Sequence, residues 1–129
     1  MSSLERVVAS ILAQENIVFE REKTFKDCYN GLYRFDFYLP QKNVIFEVQG
    51  EQHYTFVKSF YKNKSDFTKA KERDRRKISY CLAHGIKIYC IPYWEIQNLK
   101  NYNDLIQKKF LARSKFHNDE VMRQQKFEK

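Results

Sequence analysis

Apolar positions along the chain follow two periods, and the switches between them mark out its elements. Ser2 or Ser3 can cap a helix whose residues Leu4, Val7, Val8, Ile11 and Leu12 recur every 3.6 positions, with Glu5 placed to complete a capping box. That helix should run to about Glu15. Ile17 to Phe25 alternates apolar with charged residues and reads as a strand. Past the Asn30-Gly31 turn signal, Leu32 to Leu39 reads as a second strand, Pro40 to Asn43 as a turn and Val44 to Val48 as a third strand. Gly50 closes this hairpin, and residues 51 to 66 read as a surface loop. Phe67, Ala70, Ile78, Cys81 and Leu82 form one stripe of a helix from Phe67 to His84, which Gly85 can terminate. Lys87 to Pro92 is a fourth strand; Leu105, Ile106, Phe110 and Leu111 predict a last helix, followed by a charged tail that can extend it or fray.

This order predicts one α/β domain over residues 1–113, a small mixed sheet flanked by helices, with residues 114–129 as a tail or helix extension. A chain of 129 residues has room for one such core, and 43% hydrophobic and 16% aromatic residues exclude a disordered chain. Cys28, Cys81 and Cys90 are widely spaced and form no Cys-x-x-Cys pair, which argues against a disulfide framework or a zinc ribbon. Nowhere do 18 apolar residues run together, and no cationic segment precedes an apolar run at the N-terminus. The expectation is a cytoplasmic protein with no membrane partner.

Candidate chemistry lies in the hairpin. A turn centred on Gln41-Lys42 pairs positions whose numbers sum to 83, which sets Asp36 opposite Glu47. Directly opposed side chains have Cβ atoms roughly 4.5–5.5 Å apart, where two carboxylates repel unless a proton or cation intervenes. Gln49, two residues beyond Glu47, joins the same face. Oxygen donors without cysteine or clustered histidine suit Mg²⁺ or Mn²⁺, which can polarise a phosphodiester and activate water. The alternative is an exposed polar face with Lys or Arg partners. A one-residue slip would separate the two carboxylates.

The run Arg34-Phe35-Asp36-Phe37-Tyr38-Leu39-Pro40, then Val44-Ile45-Phe46-Glu47-Val48-Gln49-Gly50-Glu51-Gln52-His53-Tyr54, resembles the PD-(D/E)XK nuclease superfamily, in its branch of very-short-patch-repair-like and phage or homing endonucleases. The similarity extends to Glu72-Arg73-Asp74-Arg75-Arg76-Lys77 and Ile91-Pro92-Tyr93-Trp94-Glu95, covering roughly residues 3 to 96. It implies a restriction-endonuclease-like domain and metal-binding or acid/base roles for Glu5, Asp36, Glu47, His53 and Asp74. Each has a plainer alternative: Glu5 can cap the first helix, His53 can be an exposed loop residue, and Asp74, which sits on an otherwise apolar stripe, can pair with an arginine. An imidazole at position 53 can activate water or protonate a leaving oxygen near neutral pH. Lys77, one turn after Asp74, can stabilise charge on phosphate. Gln49 departs from the pattern, standing where the superfamily often has Lys and this branch often has Asp; a neutral amide orients water but brings no charge.

Net charge is +8, and the segment from Lys58 to Lys77 holds nine Lys or Arg against Asp66, Glu72 and Asp74. Lys58, Lys62, Lys64, Lys69, Arg73 and Arg76 are candidates for phosphate contacts, with Tyr54, Phe56, Phe60 and Tyr61 interleaved for base stacking. The plain reading is a solvated helix face over core aromatics. The leading expectation is an Mg²⁺-dependent endonuclease acting on DNA, of phage, mobile-element, repair or junction-processing type. A non-catalytic binding module and an RNase are the alternatives. Cutting both strands would call for a homodimer or a separate targeting partner.

Overall fold

The Ser2 hydroxyl accepts the Glu5 backbone N–H at 3.1 Å and so starts α1 (Ser3–Gln14), whose Leu4, Val8, Ile11 and Leu12 are buried. The reciprocal half of the expected capping box does not form, because the Glu5 carboxylate turns to Arg21 instead. The structure, a computed structural model, describes residues 1–55 and 62–128, the last three by backbone alone. Lys58, Phe56, Phe60 and Tyr61 lie outside the described residues.

Four strands follow in the order β1-β2-β3-β4: β1 (Glu20–Lys23), β2 (Phe35–Leu39), β3 (Val44–Gln49) and β4 (Lys87–Pro92). The first two pairings are antiparallel and β3 with β4 is parallel, so the sheet is mixed. β1 and β2 are shorter than their alternation predicts. Between them, Tyr29, Asn30 and Gly31 all have positive φ and spend the intervening residues on a left-handed turn. In the hairpin Phe37 pairs with Phe46, Tyr38 with Ile45 and Leu39 with Val44, and Asn43, at φ 55°, closes the turn.

α2 (Lys64–Ala83) starts three residues earlier than its apolar stripe predicts, because Asn63 caps it by accepting the Asp66 N–H at 3.0 Å. It stops where Gly85 takes φ 69° and the Ile86 N–H returns to the Cys81 carbonyl at 2.9 Å. Leu82, expected on the inner stripe, is 42% exposed.

The single last helix does not form. Its apolar spacing is met by a short helix α3 (Tyr102–Leu105), a 3-10 turn at Lys108–Phe110 and an extended stretch whose Leu111 bridges Tyr89. The Ala112 N–H donates to the Ile88 carbonyl at 3.0 Å, so the segment covers the free edge of β4 while still burying Leu105 and Phe110. The charged end forms α4 (His117–Glu128).

β2, β3 and β4 are packed on both faces, while β1 stays at the exposed edge. Against α1 and α3 lie Phe37, Leu39, Val44, Phe46, Val48 and Ile91; against α2 lie Phe35, Ile45, Ile88 and Cys90 with Ile78 and Cys81. No described helix is long and apolar enough to cross a membrane.

Candidate active site

Phe35 and Phe37 are two residues apart on one strand, yet Phe35 packs toward α2 and Phe37 toward α1. Simple alternation would put them on one face, so β2 rotates at the residue between them, Asp36. There the backbone pairing of β2 with β3 ends and side chains take over its hydrogen bonds. The Asp36 N–H donates to Glu47 Oε2 at 2.7 Å, and the Val48 N–H donates to Asp36 Oδ2 at 2.9 Å. Two carboxylates thus sit where a backbone ladder would otherwise continue, and they hold the hairpin end open.

Lys77 reaches them from α2. It is 9% exposed, and its ammonium binds Glu47 Oε1 and lies 5.0 Å from the centre of the Phe35 ring. Burial pulls the lysine toward its neutral form, but the charge and hydrogen bond of Glu47, with Asp36 and Asp74 behind, outweigh it and raise its proton affinity overall. Burial also acts on Asp36, and the neighbouring Glu47 charge adds to it; Lys77 and the Val48 N–H offset only part, leaving the Asp36 carboxyl pushed up to about 8.

Gln49 turns its amide oxygen to Tyr54 rather than to the two carboxylates. It is 2% exposed, and its Oε1 accepts the Tyr54 hydroxyl at 2.7 Å. Burial holds the Tyr54 phenol well above its ordinary range, so it stays a donor. Tyr54 in turn packs on Trp94, ring centres 5.0 Å apart. Gln49 therefore anchors the loop after β3. That anchoring sets the next residues of the loop, where His53 Nδ1 lies 2.9 Å from Asp74 Oδ2. The polar residue on the apolar stripe of α2 thus finds a histidine rather than an arginine.

A cleft of about 480 Å³ opens at the forked end of β2 and β3, at the carboxyl ends of the parallel pair β3–β4. Glu5, Asp36, Glu47, His53 and Lys77 all line it, together with Tyr93 and Ile96; Asp74 and Gln49 stand behind the lining. Open α/β sheets commonly bind ligands at that end of their parallel strands. Arg21, outside the lining, is a support that spacing gives no sign of. It donates to Glu5 Oε2 at 2.8 Å and to the Asp36 carbonyl at 3.3 Å while stacking on Phe37, so it ties α1 to the carboxylate edge.

Among the described residues no three His, Cys, Asp or Glu side chains form a metal-holding group. Asp36 and Glu47 are the carboxylates that could hold Mg²⁺ or Mn²⁺, ions that commonly take one or two protein carboxylates and fill the rest of the shell with water and phosphate oxygens; both Glu47 oxygens here already bind Lys77 and the Asp36 N–H.

α2 sorts its charges by face. Ala70, Asp74, Lys77, Ile78 and Cys81 point inward. Lys71 and Arg75 bind Asp119 of α4 at 2.8 and 3.1 Å. Lys69, Arg73 and Arg76 fall on a third stripe and are exposed, as are Lys62 and Lys64 before and at the helix start. Arg76 is the most committed of these, donating to the Tyr33 hydroxyl at 3.3 Å and lying 3.6 Å from Glu72.

The chain is similar to two viral proteins. It is 35% identical over 68 residues to the uncharacterized protein 094L of Frog virus 3 (isolate Goorha), which covers 52% of this chain and 43% of the relative. It is 34% identical over 58 residues to the uncharacterized protein 307L of Invertebrate iridescent virus 6, covering 45% of this chain and 29% of the relative. The chain thus spans less than half the length of these curated relatives. No protein-family model and no solved structure matches it.

Proposed function

We propose that the cleft is the active site of a metal-dependent endonuclease that hydrolyses DNA phosphodiester bonds, on a restriction-endonuclease-like domain of the PD-(D/E)XK kind. The observation that carries this reading is the forked hairpin end, where Asp36 and Glu47 converge with Lys77 on Glu47. A fold built only for stability would place hydrocarbon there, since buried carboxylates cost several kcal/mol of desolvation each.

Asp36 and Glu47 are the residues that would hold Mg²⁺ or Mn²⁺, which when bound would polarise the phosphate and lower the pKa of water. Lys77, bound to Glu47 on the cleft wall, would supply the cation that the strand itself lacks at Gln49 and stabilise charge developing on the phosphate. His53 lines the cleft with its Nδ1 toward Asp74, an arrangement that leaves Nε2 to take or give a proton there. Glu5, bound to Arg21, also lines the cleft. The exposed Lys62, Lys64, Lys69 and Arg73, with Arg76, are the phosphate-tracking surface, and Lys58 belongs to the same basic segment by sequence. These contacts read the backbone and carry no base specificity. Double-strand cutting by one such cleft calls for a homodimer or a targeting partner.

Gln49 favours one competing reading, a nucleic-acid-binding module that has lost catalysis, because its amide is spent on Tyr54. The deciding experiment incubates supercoiled, linear, single-stranded and branched DNA, and RNA, with Mg²⁺, Mn²⁺ or EDTA, comparing the native chain with Glu47→Ala. Metal-dependent DNA cutting that the variant loses supports the endonuclease. Cutting of RNA alone makes it a ribonuclease, and salt-sensitive binding without cutting makes it a binding module.

A further inference from the structure

Asn118, the second residue of α4, is 7% exposed, yet neither its side-chain oxygen nor its nitrogen has a hydrogen-bond partner among the described residues. A buried amide left bare forfeits its hydration, so a native fold almost always satisfies it with protein, water or an ion. It borders a cavity of about 10 Å³ shared with His53, Asp74, Lys71, Arg75 and Asp119. That is roughly the room one water molecule needs and far too little for a phosphate. Lys71 and Arg75 already pair with Asp119 at 2.8 and 3.1 Å and His53 with Asp74 at 2.9 Å, and the remaining charged neighbour, Lys115, is an exposed cation over the Phe116 ring, so the space itself has room for a neutral water. Water, which both donates and accepts, fits an amide that needs one of each.

We infer that Asn118 is a positioning residue for His53: it holds one buried water against Asp74, and through Asp74 it keeps the imidazole in the tautomer protonated at Nδ1. His53 borders both spaces, the cleft in front and the cavity behind. The ion pairs of Asp119 fix the first turn of α4 to α2, the helix that carries Asp74, so all three polar groups stand on one frame. The charged C-terminal segment is then part of the site's support. The use made of the oriented imidazole rests on the nuclease reading; its orientation is a property of the folded chain alone.

The test uses the full chain with ¹⁵N-labelled histidine in EDTA, at a pH where the imidazole is neutral. In the native protein the His53 ring nitrogens should report the Nδ1-protonated tautomer, and the Asn118 side-chain amide protons should show a cross-peak to bound water. Asn118→Leu, which fills the cavity with hydrocarbon, should lower the tautomer preference about fivefold, the scale of one lost hydrogen bond. Asn118→Ser, which keeps a donor and an acceptor and leaves room for water, should restore most of it. A missing water cross-peak in the native protein, or an unchanged tautomer in a folded Leu variant, overturns the inference. If no form of the protein cuts DNA, the nuclease reading fails while the ring resonances still decide the positioning.

Discussion

On the face covered by α1, the hairpin presents Phe37, Leu39, Val44, Phe46 and Val48, all buried hydrocarbon. On the face covered by α2, the same two strands present Ile45 and then Glu47 and Gln49, with Asp36 at the fork and Lys77 entering from the helix. The first face needs only close packing. The second gives up apolar burial worth roughly 1.5–3 kcal/mol per side chain, and each polar group on it has a specific partner: Glu47 has Lys77 and the Asp36 N–H, Asp36 has the Val48 N–H, Gln49 has Tyr54 and Asp74 has His53. A surrender of stability confined to one corner of one face, and opening onto a cleft, is what makes that corner the candidate site.

The contrast can be broken from either side. Phe46→Ala, on the plain face, should cost about 3–5 kcal/mol in urea unfolding by leaving a cavity, with little change in DNA affinity of the folded protein. Lys77→Met, on the polar face, should cost about 3 kcal/mol because Glu47 is left charged and buried. The double variant Glu47→Leu/Lys77→Met should recover most of that loss while staying inactive. A double variant no more stable than Lys77→Met would mean that the pair is structural.

Asp36 sharpens the contrast through pH. Its folded value of about 8 lies above its ordinary 3.8, so between these values the folded chain binds more protons than the unfolded one. Its contribution to stability is therefore complete below about pH 4 and is lost as pH rises through about 8, with a slope no steeper than about 1.4 kcal/mol per pH unit. Asp36→Asn should flatten the stability profile in metal-free buffer, measured by urea unfolding across that range. Smaller still, Lys69→Ala or Arg73→Ala should leave folding intact and reduce the slope of log affinity against log salt by about 1. Glu5→Gln, which weakens a partly exposed pair with Arg21, should cost no more than about 1 kcal/mol.

Much of the frame is legible in the residue pattern because it depends on local rules. The hairpin register follows from a turn centred on Gln41-Lys42, and the end of α2 follows from Gly85. Asp74 stands out as a polar residue on an apolar stripe. The fork at Asp36 is not legible, because it arises when side-chain carboxylates replace a backbone ladder, a choice made only in three dimensions. Glu5 finds Arg21 at a separation of 16 residues, outbidding the local cap that its spacing favours. Leu105 to Leu111 satisfies helical spacing, yet the free edge of β4 takes the Ala112 N–H instead. Asn118 lies in a stretch that reads only as charged tail, and its burial depends on the Asp119 ion pairs with a helix more than forty residues earlier.

The most direct test of the central claim is cleavage of supercoiled DNA by the native chain and by Glu47→Gln, each with Mg²⁺ and with EDTA. Nicked or linear product formed only by the native chain and only with Mg²⁺ is the predicted result. Equal cutting by both proteins, or cutting that survives EDTA, would contradict it and remove the forked carboxylates from the chemistry.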